Sequence, residues 1–332
     1  MNIKNELPKQ LLMNPANEAY QHIDDLSLFH LEGEIKQPLV ISTLLHGNET
    51  SGFEALRKLL MKYQDQSLPR DLILIFGNVQ SARLGLRHLK GQVDFNRIWD
   101  SGESKEHFKT KLILDYLQKQ NLFAALDLHN TSGKNPYYVA IDELTHQTIA
   151  LAQYVSDRIV YFKEPHSVFS AALSKFCPSI TFEAGLSGNQ EIINYIAGFI
   201  DEIMNLEALP QISAHKKQVQ ILHSYGRICI PDEIEFTFGD KTSCLSIDPN
   251  LDKHNFELVQ TGTVFAKNAG EHRFIVLDEE SNDIADSFFK NENGNLITTQ
   301  EFIPSLITTH PEIAKDDVLG YIMKTEVLDF RD

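Results

Sequence analysis

Through the first two thirds of the chain, short apolar runs alternate with segments whose apolar residues recur every three to four positions. That is the rhythm of strands and helices in an α/β layered domain. Residues 38–45 predict a buried strand, and 52–63 a helix with Phe53, Leu56, Leu59, Leu60 and Tyr63 at helical spacing. Residues 71–76 predict a second strand. Phe108, Leu112, Ile113, Tyr116 and Leu117 mark the apolar stripe of another helix. Strands are expected at 122–128, 137–141 and 179–183, and helices at 145–157 and 192–206. Near Pro210 the pattern changes. Runs at 219–222, 227–230, 257–260, 273–277 and 318–324 are rich in β-branched or aromatic residues, with Gly, Asn, Asp and Pro between them. The pattern predicts two domains, an α/β domain over 1–208 and a smaller, mainly β domain over 209–332.

Composition fits that picture and narrows the function. The 332 residues are 42% hydrophobic and 23% charged, as in a soluble globular protein. No apolar run approaches the roughly 20 residues of a membrane span. The polar first twenty residues carry no signal-peptide core, and Cys177, Cys229 and Cys244 are too scattered for a disulfide framework. Both point to the cytoplasm, with no membrane partner. Thirty Lys and Arg against 46 Asp and Glu give a net charge of −16, which would repel nucleic acid. Against that background Arg83, Arg87, Lys90 and Arg97 form a basic island interrupted only by Asp94, suited to a small anion. From Glu271 onward, by contrast, 14 acidic residues face 5 basic ones.

Polar residues cluster where the predicted strands end, the usual place for ligand sites in open α/β sheets. The first strand runs into His46-Gly47-Asn48-Glu49, and the third into Asp127-Leu128-His129-Asn130. A His and a Glu three residues apart, joined by a distant His, make the ligand set of an open catalytic zinc site. Asp127, two residues before His129 in a strand, points the same way and could hold a ligating imidazole. Asn96-Arg97 offers an amide and a planar fork of donors suited to a carboxylate. Glu183 ends an otherwise apolar strand, where burial would raise its pKa toward that of a proton shuttle.

In this order the segments His46-Gly47-Asn48-Glu49, Asp94-Phe95-Asn96-Arg97, Asp127-Leu128-His129-Asn130-Thr131 and Thr181-Phe182-Glu183-Ala184-Gly185 resemble the succinylglutamate desuccinylase and aspartoacylase family. These are zinc carboxypeptidase-like hydrolases, and the resemblance runs over roughly 38–206. It implies a mixed sheet flanked by helices, with a smaller β domain that could cap the site. It also implies one Zn2+ held by His46, Glu49 and His129, Glu183 as general base on the water the metal carries, and a substrate carboxylate bound by Asn96 and Arg97. Arg83 and Arg87 are both candidates for the arginine that polarises the scissile carbonyl. The implied reaction is hydrolysis of the amide of a small anionic N-acyl amino acid, with homo-oligomerisation left open. In aspartoacylases an arginine shortly before the base-bearing strand helps bind the second carboxylate; here 169–178 holds only Lys175, which argues against N-acetylaspartate itself. The alternatives are a metallocarboxypeptidase or amidase acting on peptides, and a catalytically silent zinc-binding homologue.

Overall fold

A computed structural model describes residues 3–211, 218–239 and 244–329 of the chain. In chain order the first part contains α1 (Lys9–Met13), β1 (Ser27–Leu31), β2 (Gly33–Thr43), α2 (Ser51–Lys62), β3 (Leu68–Phe76), α3 (Val79–Ala82) and α4 (Lys105–Leu117). It continues with β4 (Ala124–His129), β5 (Tyr138–Ile141), α5 (His146–Val155), β6 (Ile159–Phe162), α6 (Phe169–Leu173), β7 (Ser179–Glu183) and α7 (Gln190–Met204). The strands form a mixed sheet in the order β1-β3-β2-β4-β7-β5-β6. Its centre, β3-β2-β4-β7, is parallel, while β1 joins β3 and β5 joins β7 antiparallel. Central parallel strands are covered on both faces, so they read as unbroken apolar runs: Leu39, Val40 and Ile41, and Leu72 to Ile75, are fully buried.

Side-chain alternation sends the two faces of the sheet to different helices. Val40, Ile73, Ile75 and Ala125 pack with Ile113 and Leu117 of α4 and with Phe169 and Leu173 of α6. On the other face Phe182 stacks against Phe199 of α7, with ring centroids 5.0 Å apart. Chain connection from β2 to β3 goes one way and from β3 to β4 the other, so the parallel strand ends of β2 and β4 flank a topological switch point.

The second compact unit comprises 131–136 and 218–329. It contains β8 (Gln218–Cys229), β9 (Phe236–Phe238), β10 (Leu245–Ile247), β11 (Val264–Lys267), β12 (Ile275–Asp278), α8 (Ala285–Phe288), β13 (Phe289–Glu292), β14 (Asn295–Thr298), β15 (Ile303–Ser305), α9 (Pro311–Asp316) and β16 (Gly320–Asp329). Strand β8 pairs antiparallel with β16 and β12, and β13-β14-β11-β10-β9 form a second sheet. Phe265, Phe274, Phe288, Phe289 and Phe302 fill its core. Residues 131–136 are tied into this unit by the amide of Lys134, which donates to Asp252, and by Leu306, whose amide donates to Asn135.

Three expectations fail for identifiable reasons. The strand expected over 38–45 stops at Thr43, because Leu44 adopts a left-handed conformation with φ 56°. In the helix at 105–117, Phe108 and Leu112 do not belong to the core stripe: they are 61% and 46% exposed, and Thr110, Ile113 and Leu117 face inward. The run at 257–260 forms no strand; only Val259 pairs, in a single bridge to Phe302. No helix among the described residues is long and apolar enough to cross a membrane.

The start of α2 sits directly on the sheet at Gly52, where a Cβ would lie 2.5 Å from Leu128 Cβ and 2.7 Å from Thr43 Oγ1. Gly52→Ala should therefore destabilise by about 1–3 kcal/mol, although alanine is the better helix former by about 1 kcal/mol. Thermal melting checks this; an unchanged or raised melting temperature would show that α2 can lift away without cost.

Candidate metal centre

The left-handed turn at Leu44 ends β2 and carries the chain into the loop that holds His46 and Glu49. The amide of Asn78 donates to the Leu44 carbonyl, and Gly47 lies so close to the Ser81–Ala82 backbone that a Cβ would come within 2.2 Å of the Ala82 nitrogen. A positive φ at a leucine is strained, and here it turns two polar side chains back over the strand ends. His129 needs no such device, because it is the last residue of β4, and Glu183 is its register partner on β7.

Among the described residues, His46, Glu49 and His129 form a buried group whose candidate ligand atoms all lie within 4.8 Å of one another. Glu49 stands between the rings: Oε1 is 2.8 Å from His46 Nδ1 and Oε2 is 2.7 Å from His129 Nδ1. The outer nitrogens are taken by other carboxylates. His46 Nε2 lies 3.0 Å from Asp94 Oδ1, and His129 Nε2 2.9 Å from Asp127 Oδ2. Each ring is thus fixed from behind with Nδ1 facing its partner, the usual arrangement of a ligating histidine. Ser42, the register neighbour of Asp127 on β2, donates its hydroxyl to Asp127. The Asn130 amide donates to Glu49 at 3.0 Å, and the Asn130 side chain is clamped between Ser51 and the Gly185 carbonyl.

Glu183 Oε2 is buried without a hydrogen bond, and His46 Nδ1 meets Glu49 Oε1 at 2.8 Å as an ion-pair contact outside hydrogen-bond geometry. A buried polar atom left without a hydrogen bond is costly, so Glu183 beside this cluster suits a site that takes a cation and a water molecule. The donor set agrees: imidazole and carboxylate are ordinary ligands of zinc and related divalent ions.

The charge balance among these groups agrees with that reading. Burial would raise the Glu49 carboxyl, but His46 and His129 reverse this and hold it below the usual carboxylate range. Burial would likewise depress His129, yet Asp127 and Glu49 pull it well above the ordinary histidine value. A cation held by these residues would compete with the proton that this environment favours on His129. Asp94 is also lowered against the effect of its burial, by His46, Arg87 and Arg97. Glu183 goes the other way: burial pushes it up to about 8, with Glu49 and Asp127 adding to the rise and His129 and Arg87 opposing it.

The two candidate arginines part company. Arg87 enters the cluster, donating to Glu49 Oε1 at 3.4 Å and to Asp94 Oδ2 at 3.1 Å. Arg83 is exposed and stacks on Tyr20, with its guanidinium carbon 4.6 Å from the ring centroid. The basic island therefore does not act as one field, since Arg87 is already committed to two carboxylates. Asn96 lies beside His129, its Nδ2 3.4 Å from His129 Nε2, while its side-chain oxygen Oδ1 accepts from the Phe169 amide. Arg97 is anchored through Nη1 to the Asn96 carbonyl at 3.0 Å. Reasoning from sequence missed the part of Ser42 and of Asp94 in orienting the rings. The signal for Ser42 was a lone hydroxyl on the Val40 side of an apolar strand; that for Asp94 was its place two residues before Asn96. Also missed was the bond from Thr181 to Ser170 of α6, at 2.9 Å, which extends the polar row Ser42-Asp127-Thr181 across the sheet.

Known structures show the same fold at low identity. Succinylglutamate desuccinylase from Vibrio parahaemolyticus superposes with a TM-score of 0.62 at 17% identity, covering 98% of this chain and 96% of that one. Murine aminoacylase 3 gives 0.59 at 15% identity, covering 90% and 98%. The succinylglutamate desuccinylase from Chromobacterium violaceum gives 0.56 at 16%, covering 88% and 86%. No curated protein sequence matches the chain at a significant level. Residues 36–205, just over half of the chain, match the succinylglutamate desuccinylase/aspartoacylase catalytic domain, and they include every residue of the buried cluster. The chain therefore belongs to the succinylglutamate desuccinylase/aspartoacylase family of amidohydrolases.

Proposed function

We propose that the chain is a zinc-dependent hydrolase that cleaves the amide bond of a small N-acyl amino acid. The observation that carries this reading is the convergence of His46, Glu49 and His129 beside a buried carboxyl, Glu183, that has an oxygen without a partner. In the proposal His46, Glu49 and His129 hold Zn2+. When bound, the ion supplies Lewis acidity, polarising the scissile carbonyl and making water a nucleophile near neutral pH.

The chain's own groups do the rest. Glu183, with its proton affinity raised by burial, takes a proton from the attacking water and delivers it to the departing amine. Arg87, poised at Glu49, stabilises the negative charge that develops on the carbonyl oxygen; such a donor is worth roughly 3 kcal/mol. Asp94 and Asp127 keep the imidazoles oriented. Asn96 and Arg97 hold the carboxylate of the substrate and so fix the amide over the metal position. The division into a catalytic domain over 1–208 and a β domain over 209–332 is part of the same proposal, supported by the two compact units, of which the second also takes in 131–136.

A panel of N-acetyl and N-succinyl amino acids, run beside short peptides, tests the substrate class. Release of free amino acid from the acyl compounds is expected; cleavage of the peptides alone would make the chain a peptidase. Purified protein should bind about one zinc per chain, with affinity rising with pH as the His129 proton is displaced. Chelation should abolish hydrolysis and zinc restore it, and full activity in metal-free protein would defeat the assignment.

Glu183→Gln should lower turnover by about 10²- to 10⁴-fold with zinc still bound. The same variant carries a stability signature in the metal-free protein. A carboxyl raised from 4.5 to about 8 on folding loses its proton first in the unfolded chain. Stability from this group is therefore lost as pH climbs across that interval. The melting temperature of Glu183→Gln relative to wild type should rise over the same range, and a constant difference would mean that Glu183 is not raised. Arg97→Ala should increase KM about ten- to a hundredfold with kcat little changed. An unaltered KM would place the carboxylate elsewhere.

A further inference from the structure

Helix α4 carries more apolar surface than the core uses. Its inward face is Thr110, Ile113 and Leu117, all fully buried. On the opposite face Phe108 and Leu112, one turn apart, are 61% and 46% exposed. Lys105 precedes Phe108 by three residues and Asp115 follows Leu112 by three, and both are exposed. At 100° per residue these four side chains fall within about 80° of arc, directly opposite Thr110. They form one straight stripe, in the order cation, aromatic, aliphatic, anion. Neither Lys105 nor Asp115 makes an ion pair among the described residues.

That order is self-complementary. If a second α4 is laid antiparallel across the first on a two-fold axis at position 110, residue pairs must sum to 220. Phe108 then meets Leu112 of the other copy, and Lys105 meets Asp115, each contact occurring twice. A two-fold interface requires that match, because residue i contacts j while j contacts i. A membrane surface fits less well, since Asp115 would sit against anionic headgroups at one end of the contact.

We propose that the outer face of α4 is a homodimer seam, with Phe108 and Leu112 as its apolar centre and two Lys105–Asp115 ion pairs at its ends. A pair of helices of this length makes a small interface, so the association is weak and reversible, with a dissociation constant on the order of 10 μM. It weakens further in high salt, because exposed ion pairs are screened.

The test is sedimentation velocity of the full chain over a concentration series, with circular dichroism as a check on folding. Wild type should pass from monomer to dimer, and Phe108→Asp should remain monomeric. Lys105→Glu and Asp115→Lys each place like charges at both ends of the seam and should weaken self-association roughly tenfold. An equimolar mixture of these two variants should dimerise again, as a heterodimer, because each chain now carries what the other lacks. Only a two-fold antiparallel contact in this register gives that rescue. A wild type that stays monomeric at about 100 μM would overturn the proposal. So would a dimer indifferent to Phe108→Asp, or a mixture that fails to associate. A monomer that co-sediments with anionic vesicles through Phe108 would instead assign the face to a lipid surface.

Discussion

Two imidazoles and four carboxylates are enclosed within a few ångströms, and the local structure depends on how their charges are balanced. Glu49 is the hinge of that balance, held between His46 and His129 and contacted further by Arg87 and the Asn130 amide. Taking several charges out of water is costly, and breaking a buried pair by removing one partner typically costs about 3–5 kcal/mol. Glu183 Oε2 is nonetheless buried there without a hydrogen bond. His46, Glu49 and His129 within this cluster could hold a metal ion, whose positive charge would offset the carboxylates enclosed there.

Different parts of the fold supply this arrangement in different ways. Regular sheet geometry alone delivers Ser42, Asp127, His129, Thr181 and Glu183, because the parallel register of β2, β4 and β7 sets them in neighbouring rows on one face. His46, Glu49, Arg87 and Asp94 come from irregular chain, and they are held there by backbone contacts: the left-handed Leu44, the close approach at Gly47, and the Gly47 amide bonded to the Arg87 carbonyl. A rigid half built on strands and a second half folded against it is how a metal site can combine fixed ligands with an open side. The same principle separates the two carboxyls that matter most. Glu49 is stabilised as an anion by imidazoles on either side, whereas the Glu183 carboxyl is pushed up to about 8 by burial, with the neighbouring carboxylates Glu49 and Asp127 adding to the rise. Environment, not residue type, drives the two carboxyls in opposite directions.

The pattern of apolar residues was enough to place the α/β order of the first domain, most of its central strands and the β character of the chain after Pro210. Burial writes itself into composition at those positions, since a central parallel strand has no choice but to be apolar on both faces. It was also enough to bring His46, Glu49, His129 and Glu183 together as candidates, because strand ends are marked by a change from apolar to polar residues. Strands β1 and β6, and most of the three- and four-residue strands of the second unit, β12 excepted, left too short a trace to be read.

What depended on folding was everything set by contacts between distant segments. Arg83 and Arg87 are alike in sequence, four residues apart; only the path of the loop sends one to Tyr20 and the other to Glu49 and Asp94. Periodicity grouped Phe108 and Leu112 with the core residues of α4, yet which side of a helix apolar on several sides turns inward is settled by the sheet it meets. Local order along a chain reports how each segment bends and which residues avoid water. Which groups face one another across space is fixed by register, crossover and packing, and those are properties of the assembled fold.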